Sequence, residues 1–195
     1  MALKGKRIYL TYGRFQPCTW GHENSFNAIA SAATSDRCDY RIFISHTHDK
    51  KDNPLKQVDK LKWMKMLLPK HSDKIIAINP SDPQTCIRYC MSSGKDIPED
   101  YDEAVYMVGS DRVNAMKYLH NYNACNPNHK SVDFSMKYFE IKSTGSRDAD
   151  GKTFAISGTK MREWARSGDI TEFKKGLPKY HKLKDIEVKQ FMSLL

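Results

Sequence analysis

Two short segments of the sequence combine glycine, hydroxyl and cationic residues at a spacing suited to binding phosphate groups. In the first segment, Gly13 allows the backbone to approach a phosphate closely, and Arg14 offers a forked donor. Gly21 and His22 open a helix, whose free N–H groups and dipole favour an anion, and Thr19 adds a hydroxyl nearby. Phosphate binding is therefore the chemistry that this segment predicts.

The second segment repeats this arrangement about 140 residues later in the chain. Ser157 is a favourable N-cap residue, and Gly158 and Thr159 then leave backbone N–H groups free at a helix start. Arg162 follows on the first turns of that helix, within reach of the same anion. The two segments together predict two helix N-termini that clamp one triphosphate.

Short apolar strands alternate with amphipathic helices along the chain, a pattern typical of an α/β fold with a parallel sheet. We expect a single domain over residues 1–195 with a Rossmann-like, five-stranded parallel sheet. The predicted strands cover residues 7–12, 39–45, 74–78, 104–108 and 137–141. The predicted helices cover residues 21–33, 56–68, 83–91, 111–119, 157–167 and 183–194. Such sheets bind ligands at the carboxyl ends of their strands, where the strand order reverses.

Composition excludes several classes of protein. Hydrophobic residues make up 39% and charged residues 28% of the 195 residues, an ordinary balance for a soluble domain. No apolar run approaches the roughly 20 residues that a membrane span needs, and no signal-peptide pattern precedes the first strand. Five cysteines without a Cys-x-x-Cys pair favour reduced thiols over a disulfide framework. These observations predict a cytoplasmic protein, with no membrane partner.

The formal net charge of +9 favours an anionic partner, which leaves both nucleic acid and phosphorylated small molecules open. Dedicated nucleic-acid binders usually concentrate their charge on one element, whereas these basic residues are spread along the chain, with short clusters at residues 4–7 and 174–175. We therefore expect a solvated basic surface and do not expect nucleic acid as the main partner.

The two phosphate-binding segments resemble the two signatures of the nucleotidyltransferase superfamily. Thr19-x-Gly21-His22 is similar to its (His/Thr)-x-Gly-His signature, and Ile156-Ser157-x-Thr159-x-x-Arg162 is similar to its Ile-Ser-x-Thr-x-x-Arg signature. Each signature alone is weak, but one lies after the first predicted strand and the other opens a late helix, as in the superfamily. The resemblance covers residues 8–178.

A finer resemblance is to the archaeal-type nicotinamide-nucleotide adenylyltransferases, which begin Gly-Arg-Phe-Gln-Pro-x-His-x-Gly-His. This chain has Gly-Arg-Phe-Gln-Pro-Cys-Thr-Trp-Gly-His at residues 13–22, followed by the related elements Asn53-Pro54-Leu55 and Leu177-Pro178. Thr19 departs from the family by replacing its first His, and loops 121–133 and 143–152 do not align with it. The small, lysine-rich chain also resembles nucleotidyltransferases carried by large phages, which would place it in the host cytoplasm.

The resemblance implies transfer of AMP from ATP to nicotinamide mononucleotide, which yields NAD and pyrophosphate. Mg²⁺ would accompany the reaction, held mainly by the phosphates of the NTP, and no metal-binding residues are expected. Family members are often oligomers, which leaves a homo-oligomer open. The implied catalytic residues are His22, Thr19 and Arg14. The implied nucleotide-binding residues are Gly13, Phe15, Gly21, Ser157, Thr159 and Arg162.

Acceptor-binding residues are expected around the same sheet edge. Asp111 follows a buried strand there, Trp20 offers a ring for stacking, and Asn53 belongs to the element after the second strand. The alternatives are that Asp111 only caps a helix and that Trp20 packs under its loop. His46 and His48 are interpreted as part of a loop near the acceptor, with a metal site as the minority hypothesis.

Two alternative functions remain open at this stage. The first is a cytidylyltransferase or another transferase with a different phosphorylated acceptor, because residue types do not reveal base preference. The second, from another class, is a non-catalytic nucleotide- or RNA-binding protein. It is motivated by the net charge and by the basic tail, which consists of Lys174, Lys175, Lys179, Lys182 and Lys184.

Overall fold

A computed structural model of the protein describes residues 6–145 and 156–195. Five strands alternate with helices: β1 (Arg7–Gly13), β2 (Asp39–Ile44), β3 (Ile75–Ala77), β4 (Glu103–Val108) and β5 (Tyr138–Ser143). The helices are α1 (Trp20–Ser35), α2 (Gln57–Leu67), α3 (Pro83–Tyr89), α4 (Val113–Met116), α5 (Gly158–Ser167), α6 (Ile170–Gly176) and α7 (Asp185–Met192). Most of the predicted loop 143–152 and the start of the predicted basic cluster 4–7 lie outside the described residues.

The strands form one sheet with the order β3-β2-β1-β4-β5, and every neighbouring pair is parallel. The prediction of a Rossmann-like α/β fold with a five-stranded parallel sheet is therefore confirmed. The chain leaves β1 towards β2 on one side, and β4 then pairs with the other edge of β1. The strand order thus reverses between β1 and β4, and that is where such sheets bind ligands.

Both faces of the sheet are covered, because side chains alternate along each strand. On β1, Tyr9 belongs to one core, whereas its neighbours Ile8 and Leu10 belong to the other. Helices α1, α2, α5, α6 and α7 bury the first core, in which Trp63 and Phe191 stack at a centroid distance of 4.7 Å. Helix α3 and the chain around Leu119 bury the second core. Helix α7 packs on the first core through Val188, Phe191 and Met192.

The predicted helix 111–119 is wrong as a single element. The structure contains a 3₁₀ turn at Ser110–Arg112, the four-residue α4, and a 3₁₀ segment at Lys117–Tyr122. Residues of low helix propensity such as Asn114 and Tyr118 occupy this stretch, and Leu119 is its one buried residue. Propensity and packing are therefore both too weak here to enforce a continuous helix.

Helix α6 was not predicted, although its start carries a recognisable signal. Asp169 is its N-cap, and the carboxylate accepts a hydrogen bond from the backbone N–H of Glu172 at 3.0 Å. This Asp-x-x-Glu spacing is typical of a capped helix start. Helix α6 ends at Gly176, which packs closely on Met161. A side chain does not fit at this position, because a Cβ would lie 2.1 Å from the Met161 sulfur.

One face of α2 is buried, and it includes a charged residue. Val58, near the start of the helix, is 69% exposed. The buried residues of the helix are Lys60, Trp63, Met64 and Leu67, which recur at helical spacing. The buried face of α2 therefore contains a lysine.

Candidate functional site

A cavity of about 840 Å³ opens at the carboxyl ends of the strands, where the strand order reverses. The loop after β1 forms its floor, and the ends of β4 and β5 contribute Gly109 and Thr144. The N-termini of α1 and α5 face it through Gly21 and Gly158. Both sequence segments that predicted phosphate binding therefore meet at one cavity, although more than 130 residues separate them.

Phe15 shapes the loop after β1. Its backbone has a φ of +47°, a left-handed conformation that few non-glycine residues adopt, and its ring folds back over Gly13. A Cβ on Gly13 would lie 2.5 Å from the Phe15 ring. The ring is nearly buried and packs edge-on against His22 at a centroid distance of 5.1 Å. Gly13 is thus required for this packing, in addition to the close phosphate approach predicted for it.

Gln16 ties this loop to the chain after β2, a role that the sequence did not reveal. The Gln16 side chain donates to the backbone oxygens of Leu55 at 2.9 Å and Thr47 at 3.3 Å. Its own oxygen accepts from the backbone N–H of Leu55 at 2.9 Å. Since Gln16 is 6% exposed, these bonds satisfy a buried amide and fix two walls of the cavity relative to each other.

Thr19 and His22 form a reciprocal pair at the start of α1. The Nδ1 atom of His22 accepts from the backbone N–H of Thr19 at 3.0 Å and lies 2.9 Å from the Thr19 hydroxyl. An Nδ1 that accepts an N–H bond carries no proton, so the proton of a neutral ring is on Nε2. The pair therefore makes the neutral His22 ring a hydrogen-bond donor through its Nε2–H group. Thr19 is 3% exposed, and its two contacts with Nδ1 orient the ring.

Ser157 and Gly158 bring the start of α5 close to the loop after β1. The Ser157 hydroxyl accepts from the backbone N–H of Lys160 at 3.1 Å, which confirms the predicted N-cap. A Cβ on Gly158 would lie 2.6 Å from the backbone oxygen of Gln16. A glycine at this position therefore lets the helix N-terminus and the β1 loop approach each other.

Arg162 connects the two phosphate-binding segments directly. Its Nη1 donates to the backbone oxygen of Gln16 at 2.6 Å, and its Nη2 donates to the Thr159 hydroxyl at 3.2 Å. It is 8% exposed, and burial lowers the pKa of its guanidinium. Asp52, largely exposed, lies 3.6 Å from Nη2 and is the partner carboxylate at this position. The charge of Arg162 is thus held at the cavity wall by a rigid set of contacts.

Lys60 is a buried cation next to the site, in addition to Arg14 and Arg162, and it was not identified from the sequence. It is fully buried, and its ammonium donates to the backbone oxygen of Ser45 at 2.5 Å, the Ser45 hydroxyl at 3.1 Å and the backbone oxygen of Thr47 at 3.1 Å. Burial, and secondarily the nearby charge of Arg14, lower the pKa of Lys60 to about 8. Lys60 therefore stabilises the start of the loop after β2, at Ser45 and Thr47. Arg14, in contrast, is exposed and lines the cavity.

The expected acceptor residues divide into three cases. Trp20 lines the cavity. Asn53 also borders it, but it is 5% exposed and its amide donates to the carboxylate of Asp49, so it stabilises its own loop. Asp111 is exposed, and its carboxylate lies beside the guanidinium of Arg112. Arg112 lines the cavity, but Asp111 does not. Asp111 does not cap a helix either, since Gly109 precedes the 3₁₀ turn.

The opposite wall of the cavity was not predicted. Its residues come from the ends of β1 and β4, from α3 and α4 and from the 3₁₀ turn before α4: Tyr12, Pro83, Tyr106, Met107, Met116 and Arg112. The side chains of Tyr106 and Met107 are themselves buried in the two cores. No local pattern in the sequence predicts this wall, because its members come from five separate elements.

Metal-binding side chains are not grouped anywhere in residues 6–145 and 156–195: no cluster of three or more His, Cys, Asp or Glu is suited to holding an ion. His46, considered for a metal site, has its Nδ1 3.0 Å from both the hydroxyl and the backbone N–H of Ser81. All five cysteines lie in the described ranges, and no disulfide joins them. Within those ranges, no helix has the length and apolar character to cross a membrane.

Comparison with known proteins does not assign the chain to a family. No protein-family model matches the chain, and no curated protein is significantly similar to it.

Proposed function

We propose that the protein is a nucleotidyltransferase that transfers AMP from ATP to a small phosphorylated acceptor, with nicotinamide mononucleotide as the first choice. One observation carries the proposal: the N-termini of α1 and α5 converge on one cavity together with Arg14, His22 and Arg162. Two helix N-termini and two guanidinium groups provide the donors and positive charge that a triphosphate requires.

The reaction that fits this arrangement is an in-line displacement at the α-phosphorus of the NTP. A phosphate oxygen of the acceptor forms a new P–O bond, and the bond from the α-phosphorus to the bridging oxygen of the β-phosphate breaks. The electron pair leaves with pyrophosphate, and no covalent intermediate with the protein forms. Catalysis then depends on positioning and on stabilising the charge that grows on phosphate oxygens.

Each cationic or donor residue has a separate role in this proposal. The Nε2–H of His22 donates to an oxygen of the α-phosphate, and the Thr19 contacts keep the ring in that orientation. Ser157, Thr159 and Arg162 hold the β- and γ-phosphates, which leave as pyrophosphate. Arg14 neutralises charge at the mouth of the cavity.

Mg²⁺ is proposed only as a companion of the NTP. The described side chains form no cage for an ion. Mg²⁺ commonly binds through substrate phosphates and water with few protein ligands. The roles given above are those of the chain's own side chains and backbone N–H groups.

The acceptor is proposed to occupy the aromatic and apolar wall. Tyr12 and Met116, which are both partly exposed, suit a flat ring, and Arg112 suits a phosphate. Nicotinamide mononucleotide has both features, since its ring carries a positive charge that tyrosine faces attract and its ribose carries one phosphate. A different phosphorylated ring compound would satisfy the same wall, so the acceptor requires direct assay.

The test is pyrophosphate release in Mg²⁺ with ATP, CTP, GTP or UTP, each with and without nicotinamide mononucleotide. The proposal predicts release with ATP plus nicotinamide mononucleotide, with NAD as the second product. Release only with CTP would make the protein a cytidylyltransferase. Release with an NTP and a different phosphorylated acceptor would retain the reaction and replace the acceptor. A folded protein that releases no pyrophosphate with any NTP and acceptor would refute the enzymatic proposal.

A further inference from the structure

A second cavity of about 280 Å³ adjoins the first and shares Trp20 and Ile156 with it. The remainder of its described lining is the segment that ends α6 and follows it: Lys174, Lys175, Leu177, Pro178, Lys179 and His181. The cavity therefore has an apolar base and several cationic groups around it. Nothing in the proposed transfer reaction uses these lysines.

The segment after α6 is held firmly against α1. Glu23 is 5% exposed, and its carboxylate accepts from the backbone N–H of Lys179 at 2.6 Å. His181 accepts from the backbone N–H of Leu183 through Nδ1 at 3.2 Å. These bonds fix the backbone of the segment, so the lysine side chains project from a defined surface.

The charges of this segment are only partly balanced. Lys174 pairs with Asp185, and Lys175 pairs with Glu172. Within residues 6–145 and 156–195, Lys179 has no carboxylate within ion-pair distance. The sequence from residue 174 to residue 184 contains five lysines and no acidic residue. This part of the surface therefore attracts anions.

An exposed aromatic ring lies among these lysines. Tyr180 is 52% exposed, and the ammonium groups of Lys70 and Lys179 lie 4.6 Å and 5.9 Å from its ring centroid. Lys70 comes from the 3₁₀ turn after α2, more than 100 residues earlier in the chain. The structure thus adds Lys70 and Tyr180 to the basic tail noted in the sequence, and together they form a cationic and aromatic cluster.

We propose that this basic surface, defined as Lys70, Lys174, Lys175, Lys179 and Tyr180, binds single-stranded nucleic acid. Proteins that bind single strands combine lysines that follow the phosphates with aromatic rings on which bases stack. Tyr180 supplies an exposed ring, and Trp20 supplies a second one at the edge of the adjoining cavity. The five residues that define the basic surface have no role in the proposed transfer reaction, so the inference does not rest on that reaction, although Trp20 borders both cavities.

The experiment is a fluorescence anisotropy titration of the full chain into a labelled 12-nucleotide single-stranded RNA of mixed sequence at several salt concentrations. Three proteins are compared: wild type, Tyr180→Ala, and the double variant Lys70→Ala with Lys179→Ala. The matched controls are Tyr138→Ala, an exposed tyrosine with Arg7 over its ring on the β5 edge, and Lys95→Ala with Lys130→Ala. Thermal unfolding of each variant confirms that it is folded.

We expect Tyr180→Ala to weaken binding about 5- to 100-fold, in line with the loss of one stacked base. The double lysine variant should reduce the slope of log K against log salt by about 1.4, since each neutralised phosphate of a single strand contributes about 0.7. The controls should bind within about twofold of wild type.

Two results would overturn the inference. One is no binding of the RNA by wild type at 50 mM salt. In that case, binding to phosphatidylserine vesicles that depends on Lys70 and Lys179 would identify a membrane surface as the partner instead. The other is equal weakening in the control variants, which would mean that overall charge alone binds the RNA.

Discussion

The Nη1 atom of Arg162 lies 2.6 Å from the backbone oxygen of Gln16, and this hydrogen bond joins the start of α5 to the loop after β1 across 146 residues of sequence. The same loop is joined to the β2 loop through the Gln16 side chain. The phosphate-binding surfaces of the cavity are thus held in a fixed relative position before any ligand binds. Such preorganisation lowers the cost of ordering groups around a charged ligand.

Arg162→Lys tests whether the forked guanidinium is required. A lysine keeps the charge but presents a compact ammonium that does not reproduce the two parallel contacts to Gln16 and Thr159. We expect the Kd for ATP to rise about tenfold or more, since a hydrogen bond to a charged group contributes about 1.5–3 kcal/mol. Isothermal titration with ATP and Mg²⁺ measures this effect. Arg166→Lys, one turn later on α5 and outside the cavity lining, should bind ATP like wild type.

Gly158→Ala tests the close approach of α5 to the β1 loop. The added methyl group would meet the Gln16 carbonyl at 2.6 Å, so the helix start must move away. Overpacking of this kind costs about 1–3 kcal/mol, which corresponds to a Tm lower by about 3–10 °C in a chain of this size. The control is Gly94→Ala, where nothing lies within 4 Å of the added methyl group. Equal Tm values for both variants would show that the approach is not tight.

Lys60 makes a pH-dependent contribution to stability whose sign follows from its pKa. The pKa is about 8 in the folded protein, below its ordinary value of 10.5, because burial disfavours the ammonium. Below pH 8 both states are protonated, and the cost of burying the charge is fully present. Between pH 8 and 10.5 only the folded state loses the proton, so this cost is relieved and stability rises.

The comparison of wild type with Lys60→Met isolates this effect. The free energy of unfolding of wild type minus that of the variant should grow between pH 8 and 10 by about 1 kcal/mol per pH unit. Urea unfolding at fixed pH values measures the difference. A difference that stays constant with pH would mean that the ammonium keeps its ordinary pKa despite its burial.

His22→Ala and Thr19→Val separate the donor from the residue that orients it. Removal of His22 should lower kcat for pyrophosphate release about 100- to 1000-fold, as expected for a donor to developing charge. Thr19→Val removes only the hydroxyl and keeps the backbone N–H bond to Nδ1, so a loss of about fivefold is expected. A larger loss for Thr19→Val than for His22→Ala would assign direct phosphate contact to Thr19.

The sheet and the meeting of the two signature segments were predictable because each depends on local sequence. Strand β1 is a run of β-formers that ends at Gly13, and Ser157 marks the start of α5 as an N-cap. In the structure β4 lies beside β1, so the carboxyl ends of these two strands are adjacent where the strand order reverses.

The remaining features depend on contacts between distant residues, which no local pattern encodes. Lys60 has the sequence context of an ordinary surface lysine, and only the β2 loop behind it provides its three oxygen partners. Gln16 similarly acquires its role from Leu55, 39 residues away. Asp111 was placed at the correct sheet edge, yet the 3₁₀ turn that replaces the predicted helix leaves it exposed beside Arg112.

The central claim is tested most directly by the stoichiometry and rate of product formation from ATP and nicotinamide mononucleotide in wild type and in His22→Ala. We predict one pyrophosphate released for each NAD formed by wild type, and a rate at least about 100-fold lower in a variant with an unchanged Tm. Pyrophosphate release that proceeds at the same rate in His22→Ala would contradict the proposed site. A folded, ATP-binding protein that forms no product with any NTP and phosphorylated acceptor would contradict the proposed reaction.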